Sequence, residues 1–412
     1  MLDQYADVKV AFNKNRGLTF RELLAPMQAE EFFDNAYRKL AVHIPGHRDK
    51  LRHVFSWEEF NLLLNSATLW SHQCMKMVLV GRDLTAEEFC TPGRTRDGVQ
   101  GMLPDPNRVT GFLQKGATLI LDLVERLSPG IAAVAASLEM MAGAPAVCNA
   151  YCSWRARQGF SSHFDSTDVF VLHIEGQKTW HLYEGRFPYP VDGSAHNYTT
   201  LSPEERISRR GKLLKEVVMK PGDILYIPRG QYHDAIAASD ACLHLSFGLI
   251  LPTGHDFLRI LVRSLLDDPL FRQELPHFDD AEAYAGQLSA LARRLHQIIT
   301  DAETVKQARR DHRERALRDC VRRFHLPARE PPAFYRVCWI DAELGLRGDQ
   351  AVLKTRVVEK GLSAKETKLA TWILAHDYFS SDQLAEAFAE NGLDWLEVAV
   401  DEFITAGLID PL

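Results

Sequence analysis

Five short β-rich runs crowd residues 146–250: AVCNAYCSW, DVFVLHIEG, KTWHLYEG, EVVMKPGDILYIP and ACLHLSFGLI. Turns separate them and no long helix intervenes. That excludes a parallel βαβ sheet and predicts an antiparallel sandwich or barrel. The exception is SPEERISRRGKLLK at 202–215, which reads as a polar insertion outside the barrel.

The flanks follow other periods. Residues 18–90 mix short helical patterns with one strand-like run, MKMVLV at 75–80, and Ser56 followed by Glu59 has the spacing of a capped helix start. Residues 91–110 (TPGRTRDGVQGMLPDPNRVT) have no periodicity and read as a loop or cover. GATLILDLVERL and PGIAAVAASLEMMAG then read as a pair of amphipathic helices joined at Ser128-Pro129-Gly130. Residues 254–325 are helical again and suit a connector or the contact layer of a homodimer. Beyond Pro327, Pro331 and Pro332, two strand-like runs precede three helices beginning at Ser363, Ser380 and Asp394. That is the order of a small winged-helix-like module. The expected domains are 1–110, accessory helices and strands; 111–252, the core; 253–328, the helical connector; and 329–412, the winged-helix-like module.

Composition narrows the function classes. A chain of 412 residues, 46% hydrophobic and 25% charged, is an ordinary globular protein rather than a disordered, collagen-like or coiled-coil one. A net charge of −7 argues against a general nucleic-acid coat. From Leu369 to Leu412 there are acidic side chains but no Lys or Arg, so a recognition helix there would lack phosphate contacts. No direct DNA binding is expected of it. The cysteines, seven in all, form no CxxC and cannot all pair within one chain, which fits a reducing, cytoplasmic setting. No run approaches the roughly 18 apolar residues of a membrane span, so no membrane partner is expected.

Chemistry concentrates in QGFSSHFDSTDVFVLHIEGQKTWHLYEG, 158–185. His163 and Asp165 are two apart, so on extended chain they leave the same face. KPGDILYIPRGQYHDAI, 220–236, turns at Pro221-Gly222-Asp223, runs through an apolar strand and delivers His233. Two imidazoles and one carboxylate on one face of a metal leave open positions, the arrangement of non-haem Fe(II) oxygenases. Alternation also puts Lys178, Trp180 and Leu182 on one face of the next strand. A lysine among apolar and aromatic neighbours is costly unless an anion meets it. His173, His181 and His244 read as sheet residues with hydrogen-bond partners. Cys148 and Cys152 read as buried small residues, and the basic run at 308–323 as a solvated helix face.

HxD, then a lysine in the context G-x-K-x-W, then PGD-x-L-Y-x-P-x-G-x-x-H, resembles the JmjC branch of the cupin superfamily. The nearest likeness is to its ribosomal oxygenase group, carried by NAYCSWRARQGFSSHFDSTDVFVLHIEGQKTWHLY and by KPGDILYIPRGQYHDA followed by LHLSFG. The resemblance implies an α+β fold with a double-stranded β-helix (jelly-roll) core, N-terminal helices, a helical connector and a winged-helix-like C-terminal domain. It implies that His163, Asp165 and His233 bind Fe(II) and that Lys178 pairs with the far carboxylate of the cosubstrate 2-oxoglutarate. Asn149, Tyr151 and Ser246 would line that pocket, with O2 as the third reactant. The implied activity is hydroxylation of a side chain in a protein or peptide, including a ribosomal protein, with succinate as co-product. Hydroxylation of a peptide natural product or small molecule, N-methyl-lysine demethylation, and a non-catalytic metal-binding cupin are the alternatives. The chain departs from the group at 152–157 and in its charged insertion.

Overall fold

The computed structural model describes residues 18–66, 69–154, 161–193, 198–239, 241–319, 334–338 and 342–412. They fall into two compact units, one within Phe20–Val321 and one within Arg322–Leu412 that also takes in residues 18–19. The larger unit contributes strands β1 (Val42–Ile44), β2 (Met75–Leu79), β3 (Arg82–Asp83), β4 (Cys90–Arg94), β5 (Gln100–Pro104), β6 (Thr118–Leu121), β7 (Ala146–Trp154), β8 (Asp168–Glu175), β9 (Lys178–Arg186), β10 (Leu213–Met219), β11 (Ile224–Ile227), β12 (Gln231–Ala237) and β13 (Ala241–Leu249).

An eight-stranded antiparallel sheet runs β1-β11-β8-β13-β7-β6-β2-β3, and a three-stranded sheet runs β10-β9-β12. Their facing sides meet in a layer of Val169, Val171, Leu225 and Ile227 against Trp180, Leu182, Val217 and Met219. This is the antiparallel sandwich expected from the clustered short strands, and the jelly roll that the resemblance implies. Period-two alternation sends the intervening residues the other way: Phe170 packs on Phe32 at 5.7 Å and on Tyr226 at 4.9 Å, outside the layer. At the β8–β9 turn Gly176 has φ +76°, and a Cβ there would lie 2.0 Å from the Ala241 carbonyl, so only glycine fits. That turn sets the start of β9 and therefore the place of Lys178.

Three local expectations are corrected. Residues 91–110 are not a loop: β4 and β5 form a hairpin, and a helix follows at Pro106–Gln114, capped by Asp105 with proline at its start. Glycine and proline hide a hairpin whose pairing comes from the partner strand. TLIL at 118–121 is not helical but is β6, buried throughout between β2 and β7. A four-residue apolar run has no period of its own, and two flanking strands decide it. The 202–215 insertion is a helix at Pro203–Arg210 with a Ser202–Glu205 capping box, and its last residues begin β10, an edge of the smaller sheet.

Other elements form where the local signals place them. Ser56 accepts from Glu59 N at 3.1 Å to start the helix Trp57–Asn65. Helices follow the barrel at Gly254–Ser264, Ala281–Thr300 and Ala302–Asp319. The smaller unit holds helices Ala364–Leu374, Ser381–Ala387 and Leu393–Thr405 with two three-stranded sheets, around a core that includes Leu369, Ile373, Phe379, Phe403 and Leu408. Ser363 and Ser380 cap the first two helices through Glu366 and Gln383. No helix among the described residues is long and apolar enough to cross a membrane. The six described cysteines are all free thiols.

Candidate metal centre

His163 lies just ahead of β8 and His233 on β12, and their backbones pair as an isolated antiparallel bridge. Gly230 N also donates to the Asp165 carbonyl at 2.9 Å, so the Pro228-Arg229-Gly230 turn is tied to the HxD segment. The ligand atoms of His163, Asp165 and His233 consequently lie within 4.8 Å of one another. His163 Nε2 is 4.0 Å from Asp165 Oδ1, and His233 Nε2 is 3.5 Å from Asp165 Oδ2. Each histidine has Nδ1 at 2.9 Å from a backbone carbonyl, that of Ser161 or of Gln231. An Nδ1–H held by a carbonyl leaves the Nε2 lone pair aimed at a metal, the usual outer-shell device for a histidine ligand. Burial, and then the nearby His163, push His233 down from the ordinary histidine range, which favours the neutral ligand form. The donor set fits a divalent transition metal bound through two nitrogens and one oxygen.

Lys178 opens β9 on the inner face, two residues before Trp180. It is 6% exposed, and among the described residues no carboxylate pairs with it. Burial holds its ammonium below the ordinary lysine range. Its Nζ lies 5.9 Å from the centre of the Trp180 ring.

The floor opposite comes from three adjacent strands of the larger sheet. Register places Asn149 beside Ser246, and Tyr151 beside His244, which in turn faces His173. Ser246 also pairs with Val171, an inner-face residue, so all five side chains point into the barrel. Asn149, Tyr151 and Ser246 are half-buried, as residues at an open pocket should be. Asn149 Oδ1 accepts from Leu123 N at 3.2 Å, which orients its amide. Tyr151 stacks on His244 with ring centres 4.9 Å apart and interplanar angle 9°.

Of the three histidines read as sheet residues with hydrogen-bond partners, His181 and His173 each have one, and no such bond is seen for His244 among the described residues. His181 does sit on the outer face, bonded to Asp234 at 2.8 Å. His173 reaches the Gly176 carbonyl through Nε2 at 3.1 Å, but its Nδ1 is buried with no partner among the described residues, as is Nδ1 of His244. Burial lowers the His173 pKa to about 4 and pushes His244 far down, with Lys178 adding to both. The signal was the i, i+2 spacing of His244 and Ser246, readable once the inner face of β13 is known. Cys148 and Cys152 are buried, as expected.

Residues 128–257 match the JmjC domain family. The chain carries a JmjC domain. The domain's boundaries enclose the triad, Lys178 and the whole pocket floor. Among curated proteins, the chain is 28% identical over 269 residues to ribosomal oxygenase 1 of Rattus norvegicus, aligning 62% of this chain with 42% of that one. It is 29% identical over 226 residues to ribosomal oxygenase 2 of Mus musculus, aligning 52% with 43%. The chain thus spans less than half the length of these relatives. The JmjC domain and its flanks also share their fold with YcfD, a ribosomal oxygenase from Escherichia coli solved with cobalt and succinic acid, at TM-score 0.51 and 14% identity, covering 93% of this chain and 98% of that one.

Proposed function

We propose that this chain is an Fe(II)- and 2-oxoglutarate-dependent oxygenase that hydroxylates a side chain in a protein or peptide. The observation that carries the reading is a convergent His163–Asp165–His233 donor set in the same barrel as a buried lysine that no carboxylate among the described residues pairs with. Bound Fe(II) would supply oxygen activation and C–H hydroxylation coupled to decarboxylation of 2-oxoglutarate to succinate. His163 and His233 would hold the metal through Nε2 and Asp165 through a carboxylate oxygen, leaving one side of the coordination sphere open. Lys178 would neutralise the far carboxylate of the cosubstrate by a charge-assisted contact. Asn149, Tyr151 and Ser246 would line the cosubstrate and exclude water from it. The likeness to ribosomal oxygenases favours a ribosomal protein as substrate. The connector 253–328, of which residues 320–328 lie outside the described residues, is the proposed homodimer layer, and the cytoplasm the proposed location.

The test is anaerobic titration of the purified protein with Fe(II) and then 2-oxoglutarate. A visible charge-transfer band of a chelated 2-oxoacid is expected, followed in air by succinate release and a one-oxygen mass gain on the substrate. Loss of a methyl group would identify demethylation instead. Metal binding without any band would overturn the oxygenase reading.

A further inference from the structure

We propose that Trp180 and His244 form the neutral half of an anion cradle whose charged half is Lys178, and that together they grip the far carboxylate of a dicarboxylic 2-oxoacid. This rests on the oxygenase reading and extends it from one residue to three.

Trp180 Nε1 and His244 Nδ1 are buried with no hydrogen-bond partner among the described residues, and both residues face the interior of the barrel. Trp180 is 6% exposed and His244 2%. Folded proteins seldom leave such atoms unsatisfied, because each costs its full desolvation. Here two occur together: the His244 ring stands edge-on to Trp180 with centres 5.6 Å apart, and Lys178 Nζ lies 5.9 Å from the same indole. Trp180 in turn lies 5.8 Å from the ring of His233, which places the group beside the metal ligands.

The proton inventory says what the cluster can accept. An indole N–H only donates, and an ammonium only donates. His244, held neutral by burial and by Lys178, can carry its proton on Nδ1. His173 is different. Its Nε2 is committed to the Gly176 carbonyl, so in the neutral ring Nδ1 is an acceptor, and His173 stays outside the cradle. With the proton on Nδ1 of His244, the remaining three groups are all donors, one of them charged. A carboxylate, with acceptor sites on both oxygens, can accept from all three and also balance the ammonium charge, which a neutral acceptor cannot do.

The experiment is calorimetric titration of the Mn(II)-loaded full chain with 2-oxoglutarate and, separately, with 2-oxobutyrate, which lacks the far carboxylate. Wild type is compared with His244→Phe, which keeps a ring to stack on Tyr151, and with Trp180→Phe. Each variant is expected to bind 2-oxoglutarate about tenfold more weakly while 2-oxobutyrate affinity stays the same. The metal-free His244→Phe protein is expected to melt about 2–4 °C higher, since an unpaired buried polar atom has gone. Unchanged 2-oxoglutarate affinity in both folded variants, or equal loss for the two oxoacids, would overturn the cradle alone. Wild type that binds Mn(II) but no 2-oxoglutarate would overturn the oxygenase reading, and the cradle with it.

Discussion

His163 and His233 exchange both backbone hydrogen bonds, His163 N donating to the His233 carbonyl at 3.0 Å and His233 N donating back at 2.8 Å. Two imidazoles distant in sequence are therefore held by main chain, with ring centres 4.5 Å apart. Neither side chain is needed to bring the other into place, which makes the centre separable from the fold.

Replacing His163 by alanine should lower divalent-metal affinity by more than about 100-fold, given that losing even a residue behind the ligands costs 10–100-fold. The backbone bridge survives, so circular dichroism and melting of the metal-free protein should match wild type. Metal content after dialysis checks the first expectation; retained metal at wild-type affinity would remove His163 from the site.

Lys178→Met should abolish measurable 2-oxoglutarate binding yet stabilise the metal-free protein. An unpaired buried ammonium costs desolvation that a thioether of similar length does not. Thermal melts with and without 2-oxoglutarate read both effects, and a less stable variant would mean that Lys178 has a partner within the fold.

Stability should fall in acid partly through His173. Its folded pKa of about 4 lies below the ordinary 6.5, so the unfolded chain takes up a proton that the folded chain refuses. The contribution is complete above pH 6.5 and is lost as pH falls from there toward about 4, on the order of 3 kcal/mol in all. His173→Gln cannot titrate, and denaturant midpoints measured across that window should slope less than in wild type.

Tyr183→Phe should cost about 2 kcal/mol, the usual worth of a hydrogen bond to a carboxylate. Tyr183 donates to Asp234 Oδ2 at 2.6 Å in a buried setting, and the loss leaves Asp234 with His181 alone on the outer face of β9. Urea unfolding would measure it, and an unchanged midpoint would show that the bond is dispensable.

The convergence of His163, Asp165 and His233 was legible because its determinants are local. His163 and Asp165 share a face through the two-residue period, and the Pro-Gly-Asp and Pro-Arg-Gly turns bracket the apolar strand before His233. Lys178 was legible by the same alternation, since Trp180 and Leu182 mark its face as the inner one. Capped helices at Ser56, Ser363 and Ser380 were likewise written in the three residues after each serine.

Neighbour identity was not local. TLIL at 118–121 became a strand because β2 and β7 offered it two hydrogen-bonding edges, and the 91–110 hairpin exists only as a pair. In the pocket, His244 and Trp180 look ordinary in their own strands. They acquire meaning when the two sheets close, set the His244 ring against Trp180, and leave Nδ1 and Nε1 buried with no partner among the described residues. Side-chain direction along one strand follows from backbone geometry and can be read from sequence, whereas what a buried polar atom meets depends on the opposing sheet, and only the closed barrel decides that.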